Sequence, residues 1–253
     1  MIEGLPLFFK VGIKNIVLGY KWAPTKGHFG IFPMIVSSFL VTFGALIVGG
    51  PIGLACATYL AEYAGKKRKL FLKPALELLA GIPSVVYGFL GVIYIVPIIR
   101  ETLGGSGFSL LTSSIILGIM ILPTVISISY DSLISVPRSY REGALAMGAT
   151  KWQTIWRVVI PTAKSGIMAG FILAMGRAIG ETMAVIMVAG NALKIPSSLL
   201  DPLRTLTSNI ALELAYATGE HRKALFSTGV VLLIIIMILN YIANFVFRKK
   251  VIK

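Results

Sequence analysis

Five runs of this sequence, at 33–60, 75–99, 108–130, 165–193 and 224–247, are each long and apolar enough to cross a bilayer, which takes roughly 20 consecutive, mostly apolar residues as a helix. A chain inside lipid must satisfy its backbone polar groups internally, so it forms helices or a closed barrel. The runs lack the alternating polar positions of barrel strands. The expected class is therefore an all-α integral membrane protein, a bundle of five transmembrane helices. A mean hydropathy of +0.86 and 56% hydrophobic residues agree with that class. Helix breakers lie inside three runs: Gly49, Gly50 and Pro51 in the first, Pro83 in the second and Pro123 in the third. Kinks are expected there.

A formal net charge of +14 would point to nucleic acid in a soluble chain. Here the basic residues fall in the gaps between apolar runs, where they orient helices, so the expected partner is membrane lipid and no nucleic acid. The gaps 61–73 and 131–164 and the C-terminal tail hold fourteen Lys and Arg, against nine in the alternate segments. That bias puts the first set in the cytoplasm, with the C-terminus inside and the N-terminus outside. The implied organisation is an external segment 1–32, a transmembrane domain 33–247 with a cytoplasmic loop 131–164 and an external loop 194–223, and a basic tail 248–253. Glu3 interrupts the opening stretch, which is no cleavable signal sequence. An external N-terminus without one leads to the expectation that a first span is missing or that the true start lies upstream. Cys56 is the single cysteine, which excludes an intramolecular disulfide.

The fourth run carries "GRAIGETMAV" (176–185), with an arginine and a glutamate four residues apart. On a continuous helix at about 100° per residue, Arg177 and Glu181 lie about 40° apart, on a face shared with Gly166, Gly170 and Ala174. The Gly166/Gly170 and Gly176/Gly180 pairs are small-xxx-small patterns that admit close helix packing. Each charge costs about 2.5–3.5 kcal/mol at mid-membrane. Two readings are open. Arg177 forms a salt bridge, to Glu181 or to another helix, that only fixes packing, or it offers its donor fork to an anion crossing the membrane while Glu181 tunes or latches it.

The 131–164 loop contains "VPRSYREGALAMGATKWQTIWRVVIP" (136–161). Pro137 suits a first helical position, Arg138 to Met147 favours helix, and Gly148 suits a stop. Thr150 then begins a second helix with Gln153 as its capping-box partner. Two short helices joined by a tight turn are expected, either an interfacial element with Trp152 and Trp156 at the headgroups or a docking site.

The order and spacing of these residues decide between the two by resemblance. Glu142, Ala144, Gly148 and the closing Ile160-Pro161, on the segment that begins at Arg138, look like the EAA loop of ABC-importer permeases, with Gly143 in place of the usual first alanine. "FGIFP" (29–33), "LAGIPSVVYGF" (79–89) and "GRAIGETMAVIMVAGN" (176–191) resemble the PstC-type permeases of bacterial and archaeal phosphate importers. The resemblance runs from about Tyr20 to the C-terminus. It implies the ABC type I importer permease fold, normally with six spans, and ATPase coupling through Arg138, Glu142, Ala144, Gly148 and Pro161. Arg177 and Glu181 would then lie on the substrate path. The implied partners are a PstB-type ATPase dimer, a PstA-type second permease and a PstS-type external phosphate-binding protein, with ATP and Mg used by the ATPase. A permease for molybdate or sulfate, or a channel or ion-coupled secondary transporter, are the alternatives.

No phosphate-cradling G-x-x-x-x-G-K-[ST] loop occurs; "AGKKRK" (64–69) lacks its first glycine and its hydroxyl and reads as an anionic-lipid anchor. No metal-ligand spacing or nucleophile elbow is present, His28 and His221 read as isolated loop histidines, and this chain is not expected to be an enzyme or to bind a cofactor. In the 194–223 loop, Leu203, Leu206, Ile210, Leu214 and Ala217 recur at helical spacing. They predict an amphipathic helix lying at the outer surface, either packed onto the bundle or with its polar face forming part of the seat for an external binding protein.

Overall fold

The computed structural model describes residues 11–248; the first ten residues and the last five, with most of the basic tail, lie outside the described residues. A short α1 (Ile13–Val17) leads into a two-stranded antiparallel pair, β1 (Trp22–Ala23) and β2 (His28–Phe29). Strands were not expected, and these sit in the segment ahead of the first span. The helices follow in order: α2 (Phe32–Glu62), α3 (Lys66–Gly81), α4 (Ser84–Leu103), α5 (Leu110–Ile134), α6 (Arg138–Ala146), α7 (Lys151–Thr162), α8 (Lys164–Ile179), α9 (Met183–Val188), α10 (Leu206–Glu213) and α11 (Gly219–Arg248).

Three of the five apolar runs remain whole, as α2, α5 and α11. The run at 75–99 does not. Pro83 disfavours helical geometry at the residue before it, Ile82 is extended (ψ 127°), and the chain divides into α3 and α4. The run at 165–193 divides as well, at Gly180–Thr182. Among the described residues α2, α4, α5 and α11 are each long and apolar enough to span a bilayer, and α7 with α8, bent by 68°, makes a fifth if taken as one span. The chain is a multi-pass membrane protein.

Beyond Pro83, the prolines differ in what they do. α2 and α5 stay continuous through Pro51 and Pro123. By contrast, Pro97 and Pro161 are each preceded by a π-helical turn, at Gly91–Ile95 and Ile155–Val159. A proline has no N–H for the regular ladder, and widening the turn ahead of it redistributes the freed carbonyls.

α5 is the central post, and α2 lies along it. Small residues bring the two backbones together: a Cβ on Gly49 would collide with the Gly118 carbonyl, one on Gly44 with the Ser114 hydroxyl, and one on Gly53 would come within 2.8 Å of Val125. Lipid tails are as apolar as leucine, so such close packing, not hydrophobic segregation, holds membrane helices together. The other side of α2 faces outward, with Ile47 74% exposed and Phe43 52%. Three buried clusters stack along the bundle. The middle one joins Val41 and Ala45, Leu117, Ile121 and Val125, Ala174 and Ala178, and Val185 and Val188. One end joins Ala57, Leu60, Leu133, Val159 and Ile167 beside the α6–α7 hairpin. The far end joins Trp22, Phe29, Leu206 and Leu225.

Candidate functional site

The two divided runs meet. α4 packs on α9 through glycines: a Cβ on Gly88 would come within 2.8 Å of Met187 and 3.0 Å of Ala184, and one on Gly91 within 2.8 Å of Val188. The breaks at Ile82–Pro83 and Gly180–Thr182 thus flank one packed pair. Discontinuous helices that meet inside a bundle are the usual way membrane transporters expose polar backbone to a substrate.

Arg177 occupies the last turn of α8, half-buried. Its Nη1 reaches the Thr124 hydroxyl on α5 at 3.5 Å, the long limit of a hydrogen bond. The continuous helix expected through 165–193 would put Glu181 on the same face, but the helix ends at Ile179 and Glu181 leaves it. Its Oε1 instead accepts from the Ala184 N–H at 3.1 Å, capping α9, and its carbonyl accepts from the Thr207 hydroxyl at 2.9 Å. Among the described residues Arg177 pairs with no carboxylate, whereas Arg141 holds Glu62 and Arg204 holds Glu213, at 2.8 and 2.7 Å. The packing salt bridge between Arg177 and Glu181 is therefore absent among the described residues. A guanidinium has five donors in a fixed fork, and among the described residues Thr124 is the one hydrogen-bond partner of the Arg177 side chain. Thr124 and Tyr87 were not read from the sequence. Tyr87 lies within electrostatic reach of Arg177 and donates to the Leu79 carbonyl at 2.7 Å across the α3–α4 break.

Of the four glycines read as packing residues, Gly166 faces Ser132 and Gly170 faces Ile128, both on α5. Gly176 has nothing within 4 Å of a built Cβ, and Gly180 meets only its own preceding turn. Both lie where the helix gives way.

The 138–162 hairpin takes the expected form. Gly148 sits at φ +83°, and the Ala149 and Gly148 N–H groups donate to the carbonyls of Ala144 and Leu145, a Schellman stop that glycine adopts without strain. Thr150 and Gln153 cap each other's backbone. Pro137 precedes the helix as its cap instead of opening it. α6 buries none of its residues. Arg138 and Glu142 are exposed, Ala144 half-buried and Pro161 exposed, while Met147 is 89% exposed and Trp152 60%.

At the far end the histidine reading is overturned. His221 is no bystander: its Nε2 is 2.8 Å from Glu213 Oε2, and that oxygen also accepts from Trp22 Nε1 at 2.8 Å. Glu213 Oε1 accepts from Arg204, which also donates to the Asn191 carbonyl and the Asn209 side chain. The amphipathic-helix reading changes for the same reason. Leu203, Leu206 and Ala217 are buried as expected, but so are Asn209 and Glu213, because three donors converge on the glutamate, while Leu214 is left 45% exposed. The polar face is used internally. Next to it, Asp201 accepts from the Ser197 hydroxyl and N–H, at 2.8 and 2.9 Å, and from the Ser198 N–H. Those bonds, with Lys194 nearby, hold its carboxyl down to about 2.

Residues 49–253 match the family model of the binding-protein-dependent transport system inner membrane component. This chain belongs to that family. The permease is 41% identical to the probable ABC transporter permease protein YqgH of Bacillus subtilis, over 99% of this chain and 84% of that one. It is 36% identical to the phosphate transport system permease protein PstC of Mesorhizobium japonicum, over 90% and 76% of the two chains. Against the protein of the same name from Pasteurella multocida the figures are 33%, 90% and 78%. A bacterial ABC transporter for the import of alginate superposes with a TM-score of 0.69 at 17% identity, covering 98% of this chain and 88% of that one. The MetNI methionine ABC transporter does so with 0.63 at 19%, covering 87% and 94%. The fold is that of the ABC type I importer permeases. Membership makes this permease a membrane component and not an enzyme, working with an ATPase and a binding protein.

Proposed function

We propose that this permease passes inorganic phosphate across the cytoplasmic membrane by alternating access, with Arg177 as the anion-contacting cation. The observation that carries the reading is a half-buried intramembrane arginine with no carboxylate partner among the described residues, placed beside two converging helix breaks. A phosphate oxygen pair suits the planar fork of a guanidinium. Glu181 contributes by capping α9 and so fixing the break that presents Arg177. The names of the relatives at 33% and 36% identity support phosphate as the cargo.

The α6–α7 hairpin, with Arg138, Glu142, Ala144 and Gly148 at its exposed end, is the seat for a PstB-type ATPase dimer, which binds and hydrolyses ATP with Mg; this chain binds no cofactor. A PstA-type permease completes the membrane pair, and a PstS-type protein delivers phosphate outside. The basic gaps put the hairpin and the C-terminus in the cytoplasm and the Glu213 end outside. ATP-driven closure of the ATPase pushes the hairpin, and the bundle rocks to open Arg177 first to one side and then to the other.

The test is ATP-dependent uptake of labelled phosphate into proteoliposomes holding the complete transporter, with Arg177→Met compared with wild type and with sulfate and molybdate as competitors. Uptake that needs ATP, vanishes in an intact Arg177→Met complex and ignores both competitors is the expected result. Undiminished uptake in Arg177→Met would make the arginine a packing residue. Transport of sulfate or molybdate in place of phosphate would overturn the cargo.

A further inference from the structure

The transport reading requires that a push on the α6–α7 hairpin reach the helices around Arg177. α6 adds no residue to the buried clusters, so packing alone holds it loosely against the bundle. One side chain supplies what packing does not. Arg141, in the middle of α6, donates from Nε and Nη2 to Glu62 Oε1 at 3.1 and 2.8 Å, from Nη1 to the Val136 carbonyl at 2.6 Å, and from Nη2 to the Leu133 carbonyl at 2.8 Å. Glu62 is the last residue of α2, Leu133 lies in the last turn of α5, and Val136 follows that turn. A single guanidinium thus fastens α6 to the ends of the two most intimately packed helices, while satisfying carbonyls that a helix C-terminus leaves open. The pair is mostly enclosed, with side-chain exposures of 20% and 10%. A second contact works in parallel: Lys151, the first residue of α7, lies over the ring of Tyr63, the residue after α2, at 4.3 Å.

We propose that Arg141, through Glu62, is the positioning residue that makes the hairpin and the α2–α5 pair one lever, so that displacement of the hairpin is delivered to the bundle and not lost as slippage. The onward path is packed throughout. Gly50 of α2 lies against Phe171 of α8, Gly166 of α8 lies against Ser132 of α5, and Arg177 reaches Thr124 of α5. Lysine cannot replace the arginine, because a single ammonium cannot meet Glu62 and two separate carbonyls in the geometry of the planar fork. The proposal rests on the transport reading and adds to it the part that transmits the stroke.

The test measures anion imported per ATP hydrolysed by the complete transporter in proteoliposomes, for wild type, Arg141→Lys and Glu62→Gln. A third variant, Glu62→Cys with Arg141→Cys in a Cys56→Ser background, is measured before and after joining the two thiols with a short bifunctional linker. In the first two variants the ATPase should still co-purify and hydrolyse ATP while import per ATP falls by about tenfold, the weight of one charge-assisted hydrogen bond. Linking should restore the ratio in the third. A purely structural role lowers assembly, or lowers hydrolysis and import together, and leaves the ratio alone. An unchanged ratio in Arg141→Lys and Glu62→Gln, no recovery on linking, or failure of every variant to assemble each overturns the proposal, the last because it makes the pair a folding element. The ratio is taken for whichever anion the wild-type complex carries, so a wrong cargo appears in the wild type alone and is separate from a wrong lever.

Discussion

Replacing Glu213 by glutamine tests the polar network at the end opposite the hairpin. The carboxylate has 9% of its side chain exposed and accepts from Arg204, His221 and Trp22. Glutamine keeps the shape and one oxygen, which can still accept from Arg204. Its amide nitrogen then faces the Trp22 indole, which can only donate, so two donors oppose each other across 2.8 Å. Arg204, itself 16% exposed, loses its counter-charge. Removing one partner of a buried pair costs about 3–5 kcal/mol, and glutamine recovers part of that by hydrogen bonding, so the expected loss is about 2–4 kcal/mol. Equilibrium unfolding in mixed micelles, followed by fluorescence and compared with the exposed control Glu101→Gln, reads this directly. The two substitutions should separate clearly, because an exposed change of this kind moves stability by no more than about 0.5 kcal/mol. Arg204→Met should also cost less in the Glu213→Gln background than in wild type. Equal stabilities for Glu213→Gln and Glu101→Gln, or strict additivity with Arg204→Met, would refute the claim that this glutamate fastens the far end.

Gly49→Ala pushes a methyl into the Gly118 carbonyl and should cost about 1–3 kcal/mol by the same unfolding measurement. Gly176→Ala meets nothing within 4 Å and should leave stability unchanged or slightly higher. Gly148→Ala forces a side chain into the left-handed region and should cost about 1–2 kcal/mol, seen as weaker retention of the ATPase during purification, with Gly148→Asn milder. The Asp201 carboxyl is held to about 2 in the folded chain, below its ordinary 3.8. A depressed carboxylate stabilises fully above its unfolded value and loses that contribution as the pH falls through the folded one. Amide exchange at Ser197 and Ser198 should therefore quicken between about pH 4 and 2, and Asp201→Asn should abolish that step.

What could be read from the sequence followed local rules. Apolar length gave the spans, and the Thr150/Gln153 box and Gly148 fixed the hairpin, because caps and left-handed stops are decided within a few residues. The breaks were harder. Pro83 carried a local signal for the first, but Gly180-Glu181-Thr182 reads as helix by periodicity, and what stabilises the second is tertiary: Thr207, from the first turn of α10, donates to the Glu181 carbonyl. The wheel that put Arg177 and Glu181 on one face failed at that point. The roles of Glu213, His221 and Trp22 could not be read at all. Trp22 and Glu213 are 191 positions apart, and no spacing rule joins them.

The hairpin has one more consequence, for the life of the chain before it has partners. None of the α6 residues is fully buried, and Leu145, Met147, Trp152 and Trp156 stand outside the bundle at 49%, 89%, 60% and 50% exposure. Those side chains are an address legible to two readers. If the proposed ATPase seat is right, an ATPase covers them; without one, the same ledge is open to proteases that cut at exposed apolar turns. Limited proteolysis of the chain alone should cut first between α6 and α7, and added ATPase should protect that turn ahead of any other.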